Sequence, residues 1–407
     1  MRISSNMLYN QNYQANNNTW TALLHTQNQL STGKRVLTPA DDPIAAARAL
    51  ELEQSKSVNN QFSTNIGYAT DRLGLMENKL TGVTDILHYM RTKAVQAGDD
   101  ALGEKELKAM GADMRAQFEQ LLALANSQDG MGDYLFSGYK ANTKPFTGNV
   151  GGVTYHGDDG TQSIQVSASR YMPVSLPGSD IFTKTQAVDD SLISPYNGRN
   201  NTGDASLSGT FDPASLSAAH LGKRYEITYN DDGVNPPTWD IYELQPNSDA
   251  KVAVATGLSS LNLPAVEAAT GMTLNFTGTP ADGDQFEVFV SSPNMFDNLG
   301  MMIDAMERPG PSGMANGAID VALKDIDAAI DNVLKVRAQA GSQGAELKTM
   351  ESVGSDLKLQ YEKSISNLID LDYVAAISTF SQQLVGLQAS QASFMKVSGL
   401  TLFNYLN

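Results

Sequence analysis

The sequence predicts an α+β protein: long N- and C-terminal helices packed as a coiled-coil-like bundle, with an antiparallel β region inserted in the middle. Three observations predict it. Apolar residues recur at heptad spacing in the N-terminal third. The same spacing returns in the C-terminal third. Between about Met131 and Val290 the apolar period drops to two, with Asp/Gly-rich turns between the short runs.

From Met1 to about Leu30 the chain is rich in Asn and Gln and carries a sparse stripe, Tyr13, Trp20, Leu23 and Leu30. A helix is expected, and after it a turn. Asp42 followed by Pro43 then marks a helix start, an N-cap acceptor before a proline whose fixed φ suits the first helical position. The helix that follows has the clearest pattern in the chain. Phe62, Ile66, Ala69, Leu73, Met76, Leu80, Val83, Leu87, Met90, Ala94 and Ala97 alternate steps of four and three, and all are apolar. The stripe is roughly 50 Å long at 1.5 Å per residue. Gly98-Asp99-Asp100 ends it, and a second helix runs from about Glu104 to Gln128 with Leu107, Met110, Met114, Phe118, Leu121 and Ala125 inward.

The C-terminal third restarts the pattern at Ile319, Leu323, Ile326, Ile330 and Val333. It weakens through Arg337, Ala340 and Gly344 and resumes at Leu347, Leu357, Tyr361, Ile365 and Leu368. A last segment puts Ile377, Phe380, Leu384, Leu387 and Phe394 on one face, interrupted by Gln391. No single helix buries such seams, so each needs partners. In the middle, strands are expected around Ile164 and Val166, Tyr225 to Tyr229, Val252 and Val254, Met272 to Phe276, and Phe286 to Val290. Ser191 to Ser217, rich in Ser, Asn, Gly and Ala, reads as a long loop. Three parts follow: terminal axial helices (1-40 with 370-407), a helical rod domain (41-130 with 295-369) and an inserted β-rich domain (131-294).

Composition narrows the function. A net charge of -17, from 45 acidic and 28 basic side chains, repels nucleic acid and anionic lipid, and no basic run appears. With no cysteine, disulfides, zinc thiolates and cysteine nucleophiles are excluded. No apolar run approaches the roughly 20 residues of a membrane span, and Met1-Arg2-Ile3-Ser4-Ser5-Asn6 lacks the apolar core of a cleaved secretory signal. Gly33-Lys34 fails as a phosphate-binding loop, because Asn28 stands where a glycine is needed and Arg35 where Ser or Thr is needed; a flexible turn explains it. His25, His88, His156 and His220 never fall three or four apart, so no helical metal pair exists. The Asp-Asp-Gly clusters lack EF-hand spacing and read as turns. No catalytic, cofactor or metal residues are expected, and the chain reads as non-enzymatic.

Several stretches then resemble a known family. Leu30-Ser31-Thr32-Gly33-Lys34-Arg35 with Asp41-Asp42-Pro43-Ile44-Ala45-Ala46-Ala47, Val336 to Ala345, Leu371-Asp372-Tyr373-Val374-Ala375-Ala376, and Leu387-Gln388-Ala389-Ser390-Gln391-Ala392-Ser393 resemble bacterial flagellins. Tyr134-Leu135-Phe136-Ser137-Gly138-Tyr139-Lys140 running to Pro145-Phe146, Tyr155 to Gly160, Leu176 to Phe182, Gly283 to Phe286 and Asn294 to Leu299 are similar to the hook-filament junction proteins of that family.

The resemblance implies a structural subunit, exported unfolded through the flagellar type III route without a cleaved signal, to the extracellular flagellum. It implies head-to-tail assembly with further copies of itself, contact with flagellin on one side and the other hook-associated junction protein on the other, and an export chaperone on the C-terminal helix. The assembly residues expected are Trp20, Leu23, Leu30, Ile377, Phe380, Leu384, Leu387 and Phe394. Those of the rod seam are Phe62, Ile66, Leu73, Met76, Leu80, Val83, Leu87, Ile326, Ile330 and Val333. The alternatives are a filament subunit, or a secreted adhesin using Tyr225, Trp239 and Tyr242; such aromatics on alternating strands more often serve as core.

Overall fold

The computed structural model describes residues 5–98, 102–185, 193–198, 200–210, 220–246, 248, 250–261, 266, 270, 272–308 and 315–403. Six α-helices appear among them: α1 (Ser5–Thr32), α2 (Pro43–Ala97), α3 (Glu104–Ala125), α4 (Met295–Glu307), α5 (Ala315–Ile369) and α6 (Tyr373–Phe403). The strands are β1 (Phe146–Asn149), β2 (Gly152–Tyr155), β3 (Ser163–Ser167), β4 (Arg170–Pro173), β5 (Ile193–Asn197), β6 (Ser206–Thr210), β7 (Lys223–Asn230), β8 (Thr238–Leu244), β9 (Lys251–Leu258), β10 (Thr273–Thr277) and β11 (Gln285–Val290). The fold is α+β, with long helices at both ends and antiparallel strands between them. The chain forms two compact units, residues 1–65 with 349–407, and residues 66–348.

In the second unit the heptad residues of α2 form a core stripe. Ile66, Ala69, Leu73, Met76, Leu80, Val83, Leu87, Met90, Ala94 and Ala97 are all buried. α5 runs antiparallel to this stretch: Arg337 Nη1 donates to Thr84 Oγ1 at 3.5 Å, and Arg91 Nε to Asp327 Oδ1 at 2.5 Å. α5 contributes Ile319, Ile326, Ile330, Val333, Ala340 and Leu347, all buried. α3 lies on another side, where Tyr89 donates to Asp113 at 2.6 Å. It turns in Leu107, Met114, Phe118, Leu121 and Ala125; Met110 is only half-buried, and the helix ends at Ala125. Asn126 stops it by joining its last turn to β1, accepting from Phe146 N at 2.9 Å and donating to the carbonyls of Leu122 and Phe146.

Five strands form one antiparallel sheet in the order β5-β11-β7-β8-β9. One face carries Tyr225, Ile227, Trp239, Ile241, Phe286, Val288 and Val290, and packs with Leu207 and Leu274 of the separate β6–β10 pair. Trp239 and Tyr225 are therefore core side chains, and Tyr242 is half-buried. The opposite face turns toward α4 and α5: Phe289 packs with Ala305, Ala318 and Val321. Arg224 there donates to Glu287 at 2.7 Å and to Asp304 at 3.2 Å. Burial drives the Glu287 carboxyl up, opposed by the guanidinium beside it.

The long loop expected over Ser191–Ser217 is corrected. It contains β5, paired with β11, and β6, paired with β10; residues 211–217 lie outside the described residues. Both strands escaped a periodicity reading because β5 holds Pro195 and β6 is mostly Ser, Gly and Thr. Their order comes from distant partners rather than local propensity.

The middle motifs that carried the resemblance converge. Phe136, Phe146, Phe182 and Phe296 form one ring cluster with Phe118 and Tyr155, at centroid separations of 5.0 to 5.8 Å. A one-turn π-helix at Ser179–Thr183 delivers Phe182. Gly178, just before it, is packed so tightly that an added Cβ would meet the Phe136 carbonyl at 2.7 Å.

A contrast within the bundle tests the seam. Leu80 is 0% exposed and Leu334, on the outer face of α5, is 42% exposed. Leu80→Ala is expected to cost about 2–5 kcal/mol, while Leu334→Ala stays within about 0.5 kcal/mol; urea denaturation of the full chain measures both.

Candidate assembly interface

In the first unit α1 and α6 pack against each other. The end of α1 is bonded to the start of α6, so the pair runs antiparallel, and Ser5 and Phe403 lie at the same end of it. Each helix contributes one heptad stripe to the contact: Asn16, Thr19, Leu23, Thr26 and Leu30 from α1, and Ala376, Phe380, Gln383, Leu387, Ser390 and Phe394 from α6. All are buried or half-buried, but the large apolar members are few. Leu23 is 6% exposed and Leu387 5%.

The assembly residues expected from the sequence therefore fall into two sets. Leu23, Leu30, Phe380, Leu387 and Phe394 face the intramolecular seam. Trp20, Ile377 and Leu384 remain 51%, 54% and 40% exposed. The expected stripes had mixed the two faces. Trp20 lies three residues before Leu23, and Ile377 three before Phe380, yet the helix pair is narrow enough to bury one line only. Exposed apolar side chains that the stripes missed extend the outer surface of this unit: Ile44, Leu50 and Val58 on α2, Val353 and Leu359 on α5, Val374 and Val385 on α6. Between these parts of α2 and α5 runs a surface groove of about 570 Å³, lined by Arg48, Glu51, Leu52, Ser55, Ser364, Asn367 and Leu368. Lys56 pairs with Glu362 at 3.0 Å, and Asn59 donates to the Gly354 carbonyl at 2.8 Å. Phe62 is half-buried here, and the rest of the expected rod seam lies in the second unit.

Charge is divided just as unevenly. The first unit has eight basic and nine acidic residues, and the second has twenty and thirty-six. The net charge of -17 thus sits almost wholly in the second unit. α1 contains no Asp, Glu, Lys or Arg, and in α6 the one such residue is Lys396.

A polar clamp holds the two ends of this unit together. Gly33 closes α1 at φ 71°, its N–H donating to Gln29 O at 2.8 Å. Its carbonyl accepts from Leu371 N at 2.9 Å, and Arg35 N donates to Ile369 O at 2.7 Å. The Arg35 guanidinium donates to Leu368 O at 2.6 Å and to Asp42 at 3.2 Å. Asp42 caps α2 through Ala45 N at 3.0 Å, and Asp372 caps α6 through Val374 N at 3.0 Å. Asp41 accepts from Leu37 N and Thr38 N at 2.9 and 2.7 Å. The backbone donor of Thr38 holds the Asp41 carboxyl below its usual range, and the backbone donor of Ala45 followed by the Arg35 guanidinium does the same for Asp42. The turn expected to be flexible is thus extensively bonded. Sequence reasoning missed this clamp, although its two halves are the stretches Leu30–Arg35 and Leu371–Ala376 that carried the resemblance; the caps at Asp42 and Asp372 were the readable signal. Among the described residues no three His, Asp or Glu side chains are grouped to hold a metal, and no helix is long and apolar enough to cross a membrane.

The chain is similar to several known proteins. Residues 3–141 match the bacterial flagellin N-terminal helical region. Flagellar hook-associated protein 3 of Salmonella typhimurium is 29% identical over 403 residues, covering 99% of each chain. That of Escherichia coli is 29% identical over 410 residues, again covering 99% of each. The crystal structure of FlgL from Xanthomonas campestris superposes with a TM-score of 0.53 at 24% identity, over 77% of this chain and 99% of that one, a likeness of fold.

Two outcomes test the clamp. An added Cβ at Gly33 would lie 2.8 Å from the Tyr373 hydroxyl, in a backbone region that L side chains rarely adopt. Gly33→Ala is expected to cost about 1–2 kcal/mol and to speed proteolysis between residues 33 and 42; Gly33→Ala with Tyr373→Phe should recover the steric part alone. Asp41 and Asp42 have depressed folded-state pKa values, so their contribution is present above the ordinary 3.8 and is lost as pH falls through the lower folded values. Pepsin digestion at decreasing pH should first cut this turn only below that point.

Proposed function

We propose that this chain, a member of the flagellar hook-associated protein 3 family with a flagellin-type N-terminal region, is a structural subunit of the bacterial flagellum that joins hook to filament. One observation carries the reading. Two long helices from opposite ends of the chain pair through a thin seam and carry almost no charge, yet they leave Trp20, Ile377, Leu384 and Val385 in water. Exposed helix faces ordinarily carry Lys and Glu. An uncharged face studded with large apolar groups marks a surface that neighbours cover.

In this reading the three-part division has a working sense. The terminal helices (1-40 with 370-407) line a tube, and the rod (41-130 with 295-369) and the β region (131-294) complete the subunit. Copies meet head to tail, a heterologous contact that builds an open helical array. One edge of the array accepts flagellin, and the other meets the second hook-associated junction protein. Like charges on the acidic second units of different copies discourage non-specific aggregation. The chain leaves the cell through the flagellar export route without a cleaved signal, and a chaperone covers the α6 surface beforehand. Its role is structural, with no catalytic step.

Deleting the gene and imaging the cells tests the role: hooks without filaments, with flagellin shed into the medium, are expected. Normal filaments on those cells would reject it. At the residue level, Leu384→Asp changes an exposed side chain, so monomer stability should move by no more than about 0.5 kcal/mol while assembly is abolished. Denaturation of the purified variant and electron microscopy of the complemented deletion strain read the two halves separately.

A further inference from the structure

The stretch Tyr134–Lys140 ends in two residues that the core does not use. Leu135, Phe136 and Ser137 are fully buried, whereas Tyr139 is 64% exposed and Lys140 beside it is exposed too. The loop that presents them is fixed from several sides. Gly138 takes φ 71°, and a Cβ there would run into the Asp158 carbonyl. Asp158 N donates to Ser137 O at 3.2 Å. Asp158 Oδ1 accepts from Tyr139 N at 2.8 Å and from Gly160 N at 2.9 Å. The Tyr155 hydroxyl lies within hydrogen-bond distance of the Phe136 and Asp158 carbonyls, at 3.1 and 2.9 Å. The Tyr139 ring rests over Gly160, where an added Cβ would collide with it. Lys140 Nζ donates to the carbonyls of His156 and Gly157 at 3.3 and 3.4 Å.

Ordering a loop on binding costs affinity. This loop is already tied down in the folded chain, so association does not bear that cost. A tyrosine offers apolar area and a hydroxyl that donates to a carboxylate, and such residues dominate binding energy at interfaces. Charge indicates what the ring meets. From Tyr134 to Gly157 the sequence has no Asp or Glu, and its charged side chains are Lys140 and Lys144, both exposed. The unit around this stretch has thirty-six acidic residues against twenty basic. Copies therefore repel over most of that body, and an acid-free spot with two ammonium groups is where one can accept another. We propose that Tyr139, Lys140 and Lys144 form a docking spot for the acidic second unit of an adjacent copy of this chain. Carboxylates of the neighbour pair with the two lysines, and its surface covers the Tyr139 ring. The contact is heterologous, since a basic and aromatic loop meets an acidic face. This inference rests on the proposed assembly of copies into an array.

Photo-crosslinking in flagella isolated from the complemented deletion strain tests it. Tyr139→p-benzoylphenylalanine should give, on irradiation, a covalent dimer of this chain, with the crosslink mapped by mass spectrometry to residues 66–348 of the second copy. Asn142→p-benzoylphenylalanine puts the probe in the same loop and serves if the larger ring at 139 blocks assembly. Adding Lys140→Glu and Lys144→Glu should lower the dimer yield several-fold. Without the probe, Tyr139→Ala should lower the fraction of hooks bearing filaments several-fold while the urea midpoint of the purified chain stays unchanged. Filament loss that follows a fallen midpoint would assign Tyr139 to folding and reject the docking role. Absence of the dimer with both probes, capture of flagellin alone, a crosslink to residues 1–65 or 349–407, or a yield indifferent to charge reversal would also overturn the proposal. Failure of the unaltered chain to restore filaments would instead reject the junction role itself, so the two ideas fail by different results.

Discussion

Arg35 and Leu368 stand 333 residues apart, yet the guanidinium of one donates to the carbonyl of the other at 2.6 Å. Around that bond, the backbone of Gly33 and Arg35 pairs with Leu371 and Ile369. Everything characteristic of the first unit depends on this clamp. It sets where α1 stops, where α6 begins, and which faces of the two helices meet. The seam alone would not do so, because among the described side chains Leu23 and Leu387 are its only large apolar ones close to full burial. Isolated helices of this length gain most of their stability from packing. Polar bonds at one end therefore compensate for thin packing along the pair.

The second unit solves the opposite problem. Its stripe on α2 is fully apolar from Ile66 to Ala97, and it is covered by α3 and α5. Its sheet is buried on one face by the β6–β10 pair and carries ion pairs on the other. Such a body needs no neighbour to complete it, and it can carry a large negative charge on its surface. One chain thus joins a self-sufficient acidic body to a pair of helices whose outer faces carry almost no charge and leave several large apolar side chains exposed. The division of charge and the division of burial follow the same boundary.

How much of this was legible varies with the physics behind each element. The heptad of α2 was plain, because eleven apolar positions at one spacing leave few alternatives. The start at Asp42-Pro43 was readable because capping chemistry is local. Strands β7 and β11 alternate clearly and were found. β5 and β6 were lost, since ISPYN and SLSGT have little pattern of their own and become strands through β11 and β10. The terminal stripes were half right. Sequence spacing shows which residues share a helix face, but not how wide a band the partner covers; that is why Trp20 and Leu23 were grouped though only Leu23 is buried. The clamp was out of reach, because no local rule says that a turn after α1 will meet a turn before α6.

The antiparallel contact between α2 and α5 has a consequence for how the chain becomes ordered. Thr84 finds Arg337 and Arg91 finds Asp327 only across more than two hundred intervening residues. Closing so long a loop carries an entropic cost before any contact rewards it. Until the last quarter of the chain is available, α2 therefore lacks the cover that α5 gives it. Topology by itself delays compaction of this half of the molecule.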